Sequence, residues 1–246
     1  MDDSVQEFSK RELKKMRKEE EKTKEKKSKM GKNLFTILAI FGVIALVGYG
    51  LLKLSDPETS FSKPLSLGVE EIDQAKGAEN PTVTMVEYGD YQCPGCASFA
   101  PIVEQALTQF PNDLRLVYRH IPLPQHLNAA AASYAAEAAG KQGKFWEMHN
   151  GLYAMQQEWQ LLENPIAQFE TYAAEMDLDV EQFKADFASE EIANKVERDA
   201  QSAIDSDVNS TPTFFINGQK VERLPSSPQQ FFDLIQKEID EVKSSR

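Results

Sequence analysis

The chain's only two cysteines, Cys93 and Cys96, stand within the run Glu87-Tyr88-Gly89-Asp90-Tyr91-Gln92-Cys93-Pro94-Gly95-Cys96. A bond between residues this close closes a ring too small to remove much entropy from the unfolded chain, so the pair makes a poor structural staple. The 246 residues must instead fold around an apolar core, and 41% apolar residues are enough to build one. What is left to the pair is chemistry. A thiol in the first turn of a helix meets unpaired backbone N–H groups and the positive end of the helix dipole, which lower its pKa and make it reactive. An inert reduced pair is the bland alternative.

Tetrahedral zinc would need a second Cys-x-x-Cys or a closely spaced histidine pair. The histidines are His120, His126 and His149, too far apart in sequence for that pattern. Neither a metal nor a cofactor is therefore expected; the redox-active group would be the Cys93–Cys96 disulfide itself.

Charge is unevenly placed. Residues 1–32 hold twelve Lys or Arg and eight Asp or Glu, a net +4 against −12 for the whole chain, which leaves −16 on the remainder. An acidic domain of this kind does not present a basic face to nucleic acid. Between Lys32 and Lys53, Leu34 to Leu52 carries no charge and spans about 28 Å as a helix, enough to cross a bilayer. Ser55-Asp56-Pro57-Glu58 follows, rather than a small-x-small cleavage site. Residues 34–52 read as an uncleaved transmembrane signal anchor, with a cleaved signal or a buried soluble helix as alternatives. Lys26, Lys27, Lys29 and Lys32 crowd its N-terminal side, so residues 1–33 form a charged cytoplasmic tail and the rest lies outside the membrane, where disulfides persist. Those juxtamembrane lysines either contact anionic lipid or belong to a solvated, partly helical tail.

Residues 53–78, with Pro57 and Pro64 and no strong periodicity, read as an extracytoplasmic linker running into a domain over 79–246. Thr82 to Tyr88 has the pattern of a strand buried on one or both faces. A helix should start at the cysteines, with Phe99, Val103, Ala106 and Phe110 on one face and Pro101 removing one N–H from within it. Leu114 to Ile121 reads as the next strand. An insertion at about 125–206 is helical, with an alanine-rich stretch from Ala129 to Ala139 stopped by Gly140 and a cap at Asn164-Pro165. Ile192, Val196, Ala200 and Ile204 form an apolar stripe within it. Strand signals return at Thr213 to Ile216, and Asn217-Gly218 is a two-residue hairpin turn into Gln219 to Val221. Ser227-Pro228-Gln229-Gln230 is a capping box opening a last helix with Phe231, Ile235, Ile239 and Val242 inward.

This order, with Gly77 to Cys96, Arg119-His120-Ile121-Pro122-Leu123, His126 to Met148 and Ser210 to Gly218, resembles the membrane-anchored DsbA-like thiol oxidoreductases of bacteria. The resemblance implies an α/β thioredoxin-like fold with an inserted helical subdomain, preceded by one transmembrane helix. By the same resemblance Cys93 is the nucleophile, Cys96 the resolving thiol and Pro212 a cis-proline beside them. Thr211 then offers its backbone to a substrate strand and its hydroxyl to the sulfurs. Glu87 falls where such proteins bury an acid that exchanges a proton with Cys96, although a solvent-exposed or hydrogen-bonded structural glutamate is an equal reading. Asp90 caps the helix or shapes the turn, and His120 and His126 default to surface or helix-boundary positions. Pro94-Gly95 departs from the best-known oxidants, which carry a histidine between the cysteines. The implied activity is introducing disulfides into exported, unfolded proteins with free thiols. A quinone-linked DsbB-like membrane oxidase would regenerate the pair, and the protein would act as a monomer. A reductase or isomerase, and a client-holding module without turnover, are the alternatives.

Overall fold

The computed structural model describes residues 61–245, so the expected cytoplasmic tail, anchor and first part of the linker lie outside the described residues. Six strands form one mixed sheet in the order β1-β6-β5-β3-β4-β2. Its centre is built from β3 (Val83–Gly89) and β4 (Leu114–His120), parallel in register from Val83↔Leu114 to Gly89↔His120. The crossover between them is α1 (Pro94–Gln109), as a parallel pair requires a helix-length connection. On the other side of β3, β5 (Thr213–Ile216) runs antiparallel and turns through Asn217 and Gly218 into β6 (Gln219–Val221). Positive φ values of 48° and 80° at these two residues are the backbone a primed hairpin turn demands.

Residues 61–78 do more than link. They hold both edge strands, β1 (Phe61–Pro64) beside β6 and β2 (Gln74–Gly77) beside β4. Four-residue strands at sheet edges carry too few alternations to register as periodicity, which is why this stretch reads as linker in the sequence. The segment between them is held by Arg119 on β4. Its guanidinium is buried and donates to both carboxylate oxygens of Asp73, at 3.0 and 2.8 Å, and to the carbonyls of Leu67 and Gly68.

Strand parity divides the core. Val83 and Met85 of β3, Leu114 and Leu116 of β4 and Phe214 and Ile216 of β5 pack with Val103 and Ala106 of α1 and with Phe231, Ile235 and Ile239 of α8 (Pro228–Ser244). Glu87 shares the parity of Val83 and Met85, so it points into this same apolar side. Val86, Tyr88, Val117 and Phe215 face the opposite way, against Ala203 and Val208.

Between β4 and β5 come α2 (Ala129–Gly140), α3 (Phe145–Ala154), α4 (Gln156–Trp159), α5 (Ile166–Glu175), α6 (Val180–Phe187) and α7 (Glu190–Asp205). Small side chains bury nearly the whole circumference of α2, letting it pack against α3, α5, α6 and α7. Two local expectations need correction. The inward face of α7 is Ile192, Lys195, Val196, Asp199, Ser202 and Ala203, while Ile204 is 62% exposed, because polar partners inside the fold turn the helix away from its apolar stripe. At α8, Ser227 Oγ accepts from the Gln230 N–H at 3.3 Å, but the Gln230 side chain reaches Ser226 rather than completing the box on Ser227.

Candidate active site

Cys93 occupies the N-cap of α1, with φ −75° and ψ 122°, and Pro94 supplies the first helical turn without wasting a donor. Asp90 builds the approach. Its Oδ1 accepts from the Gln92 N–H at 2.7 Å and its carbonyl from the Cys93 N–H, while Oδ2 accepts from Leu123 N–H and lies 2.8 Å from His126 Nδ1. Asp90 therefore shapes the turn and does not cap the helix, and His126 is engaged beside it. Gly89 is required here because a Cβ at that position would lie 2.5 Å from the Tyr118 ring.

The two thiols are unbonded and differ sharply. Cys93 is half-buried and Cys96 is fully buried. A hydrogen bond from Cys96 is the main force lowering the Cys93 pKa to about 5; burial opposes it, and Thr211 with the N–H groups of Cys96 and Gly95 adds to it. Burial drives the Cys96 thiol far in the other direction, reinforced by its bond to Cys93 and the charge of Glu87. One sulfur is thus a thiolate at neutral pH and the other holds its proton.

Across from the pair, the Thr211–Pro212 peptide bond is cis, and Cys93 Sγ lies 3.4 Å from the Thr211 carbonyl oxygen. Thr211 Oγ1 is buried and spends its hydrogen on no oxygen or nitrogen acceptor, which leaves it to the Cys93 sulfur. A Cβ on Gly95 would lie 3.4 Å from Pro212 Cδ, 3.4 Å from Thr211 O and 3.5 Å from Cys93 Sγ, which places the residue before Cys96 at the meeting point of these groups.

Glu87 is 2% exposed and its Oε1 has no hydrogen-bond partner. Burial lifts its carboxyl to about 8, against the opposing charge of Lys76 and with a small push from Glu104. Lys76 itself pairs with Glu104 and sits 4.2 Å from the centroid of the Trp146 ring. Beneath Cys96 lies an aromatic cluster the sequence did not announce, in which Tyr91 Oη and His149 Nδ1 are 3.0 Å apart and the hydroxyls of Tyr118 and Tyr153 are 2.8 Å apart. Burial holds His149 neutral, well below its ordinary pKa, and raises all three tyrosines.

His120 departs from the surface or helix-boundary position expected of it. It is fully buried, with Nε2 2.8 Å from Glu137 Oε1 and its backbone N–H on Asp199 Oδ2 at 3.1 Å. His120, Glu137 and Asp199 offer ligand atoms within 4.8 Å of one another. Lys195, however, already places its ammonium 2.6 Å from Asp199 and 3.8 Å from Glu137, so a positive charge is already seated where a metal ion would bind.

Residues 70–237 match the sequence profile of the thioredoxin family. Among curated proteins, the chain is 43% identical over 149 residues to Na(+)/H(+) antiporter NhaA 1 of Salinispora arenicola, covering 60% of this chain and 22% of that one. It is 34% identical over 193 residues to NhaA 1 of Mycolicibacterium gilvum, covering 75% and 30% respectively, so it spans less than a third of these relatives. Among solved structures it is similar to a thioredoxin-like oxidoreductase from Silicibacter pomeroyi at 26% identity and a TM-score of 0.58, over 71% of this chain and 94% of the other. BdbD from Bacillus subtilis superposes with a TM-score of 0.63 at 22% identity, over 74% and 98%. Alpha-DsbA1 of Wolbachia pipientis does so with 0.61 at 19% identity, over 73% and 96%.

Proposed function

The chain belongs to the thioredoxin family, and from that premise we propose that it is a DsbA-like thiol-disulfide oxidoreductase working as an oxidase of exported proteins. Residues 34–52 tether it, with the domain outside the membrane. The observation that carries this reading is the division between the two thiols. A client thiolate attacks Cys93 Sγ of the Cys93–Cys96 disulfide, a client–Cys93 bond forms, and Cys96 departs as a thiolate that takes a proton. Glu87, with a pKa of about 8, still holds a proton at neutral pH and supplies it. A second client thiolate then attacks the client sulfur of the mixed disulfide, and Cys93 leaves as a stable thiolate. The client has lost two electrons and gained a disulfide; the reduced pair is returned to the disulfide by a quinone-linked membrane oxidase.

Thr211 and Pro212 line the side of Cys93 where the client strand must lie, and the Thr211 hydroxyl is a donor for the departing thiolate. The antiport activity in the relatives' names is not carried over, since the matched stretch is under a third of those proteins. The uncharged Pro94-Gly95 dipeptide favours a second reading, a reductase, because it adds no cation beside the thiolate. Equilibrating the domain with glutathione decides between them. A potential less negative than about −200 mV supports the oxidase, and a more negative one transfers the reading to the reductase.

A further inference from the structure

The helical insertion reaches back to the reacting cysteine through one side chain. Gln156, the first residue of α4, is 3% exposed and donates from Nε2 to the Tyr91 carbonyl at 2.8 Å and to the Cys93 carbonyl at 3.1 Å. An amide nitrogen carries two hydrogens, and both are committed here to the backbone on either side of Gln92. The Gln92 side chain reaches the same insertion from the opposite direction. Its Oε1 accepts from the Asn128 N–H at 2.8 Å and its Nε2 donates to the Gln160 carbonyl at 2.9 Å. Cys93 O also accepts the first bond of α1, from the Ala97 N–H at 3.1 Å.

We propose that Gln156 is a positioning residue for thiol–disulfide exchange: its carboxamide holds the Cys93 carbonyl and thereby the seat of the Cys93 sulfur at the start of α1. The proposal rests on Cys93 being the nucleophile. The N–H groups of Gly95 and Cys96 stabilise its thiolate only while Cys93 keeps its extended N-cap backbone, and Gln156 fixes the carbonyl that this conformation turns inward. A buried glutamine serving packing alone would satisfy carbonyls anywhere along the interface. This one satisfies the carbonyl of the reacting residue.

The test is the pH dependence of Cys93 alkylation in the reduced full-length protein, with a thermal melt of each variant. Gln156→Met, which keeps the length and removes both donors, should raise the midpoint by roughly half a unit to one unit and lower the exchange rate near neutral pH accordingly. Gln156→Glu, which replaces the donors by a carboxylate, should raise it at least as far. Gln157→Met, on the exposed side of the same helix, should leave it in place. A cooperative melt with an unmoved midpoint in either Gln156 variant overturns the proposal, as does a loss of melting temperature unaccompanied by a shift. Should neither variant fold, Gln156 belongs to the scaffold and the proposal falls. A wild-type midpoint at the ordinary thiol value would instead overturn the assignment of Cys93 itself, so the two failures are distinguishable.

Discussion

Two buried glutamates, one beside the cysteines and one in the helical insertion, are pushed in opposite directions by their surroundings. Glu87 is 2% exposed and Glu137 is 6% exposed, so burial penalises the charge of both. At Glu87 that penalty prevails, and the carboxyl rises to about 8 with one oxygen unpartnered. At Glu137 the same penalty is overcome by the His120 hydrogen bond, the charges of His120 and Lys195 and the 2.7 Å bond from Gln74 Nε2, and the pKa falls. Asp199, in the same cluster, is held above the ordinary range by burial even against Lys195. The comparison separates a carboxyl kept able to give and take a proton from one locked as an anion in the scaffold. Depth of burial does not distinguish them; partners do.

Removing the locked anion should have the largest effect. Glu137→Leu strands His120, Gln74 and part of the Lys195 charge, and should destabilise the domain by about 3–5 kcal/mol in denaturant melts at neutral pH. The protein that stays folded should keep its Cys93 alkylation profile. A profile that moves with Glu137 would break the separation between scaffold and site.

Glu87→Gln should act with the opposite sign. A carboxyl whose folded pKa is raised from its ordinary 4.5 to about 8 favours the unfolded state increasingly as pH climbs between those values. The substitution should therefore stabilise the domain by about 2–4 kcal/mol at pH 8 and change little at pH 4. It should also slow departure of Cys96 and remove the break near pH 8 from the exchange rate. Equal stability of the two proteins at pH 8 would sink the raised carboxyl.

A smaller effect concerns the pair itself. Cys93 has a folded pKa near 5, below its unfolded value, so its stabilisation of the reduced form is complete above the unfolded thiol pKa and is lost as pH falls through 5. The stability of the reduced relative to the oxidised protein should rise by about 1–2 kcal/mol from pH 4 to pH 7, after allowing for solvent at this half-exposed sulfur. A flat difference over that range would mean the thiolate is not preferentially stabilised.

The smallest effect expected is at Gly95. Gly95→His would place an imidazole where Pro212, Thr211 O and Cys93 Sγ converge, and should lower the alkylation midpoint by roughly half a unit below its wild-type value. An unchanged midpoint would show that the partners already present saturate the thiolate.

Central strands and long helices were legible because their signals are local. Thr82 to Tyr88 is offset by one residue at each end from the observed strand and Leu114 to Ile121 by one at its C-terminal end, and the Asn217-Gly218 turn falls where its dipeptide stands. The edge strands were not legible, for Phe61–Pro64 and Gln74–Gly77 acquire strand geometry only from neighbours supplied by distant sequence. The inward face of α7 escapes the apolar pattern for a related reason. Hydropathy assigns Lys195 and Asp199 to solvent, whereas each finds a charge partner inside the fold. Gln156 carries no motif at all, and nothing short of the folded insertion could link it to Cys93.

That one cysteine pair stands at the start of a helix following a strand could be read from the sequence alone, because spacing, helix-start chemistry and periodicity are properties of adjacent residues. The sequence also placed Glu87 on the same face of β3 as Val83 and Met85, since strand parity follows from residue number alone, while leaving open whether its carboxyl is buried. The raising of Glu87 and lowering of Glu137, the burial of His120 and the amide from the insertion that holds the Cys93 carbonyl came from the fold alone. Those outcomes depend on which dipoles and charges arrive within a few ångströms from far along the chain, and in a low-dielectric interior such arrivals outweigh any intrinsic preference of the residue.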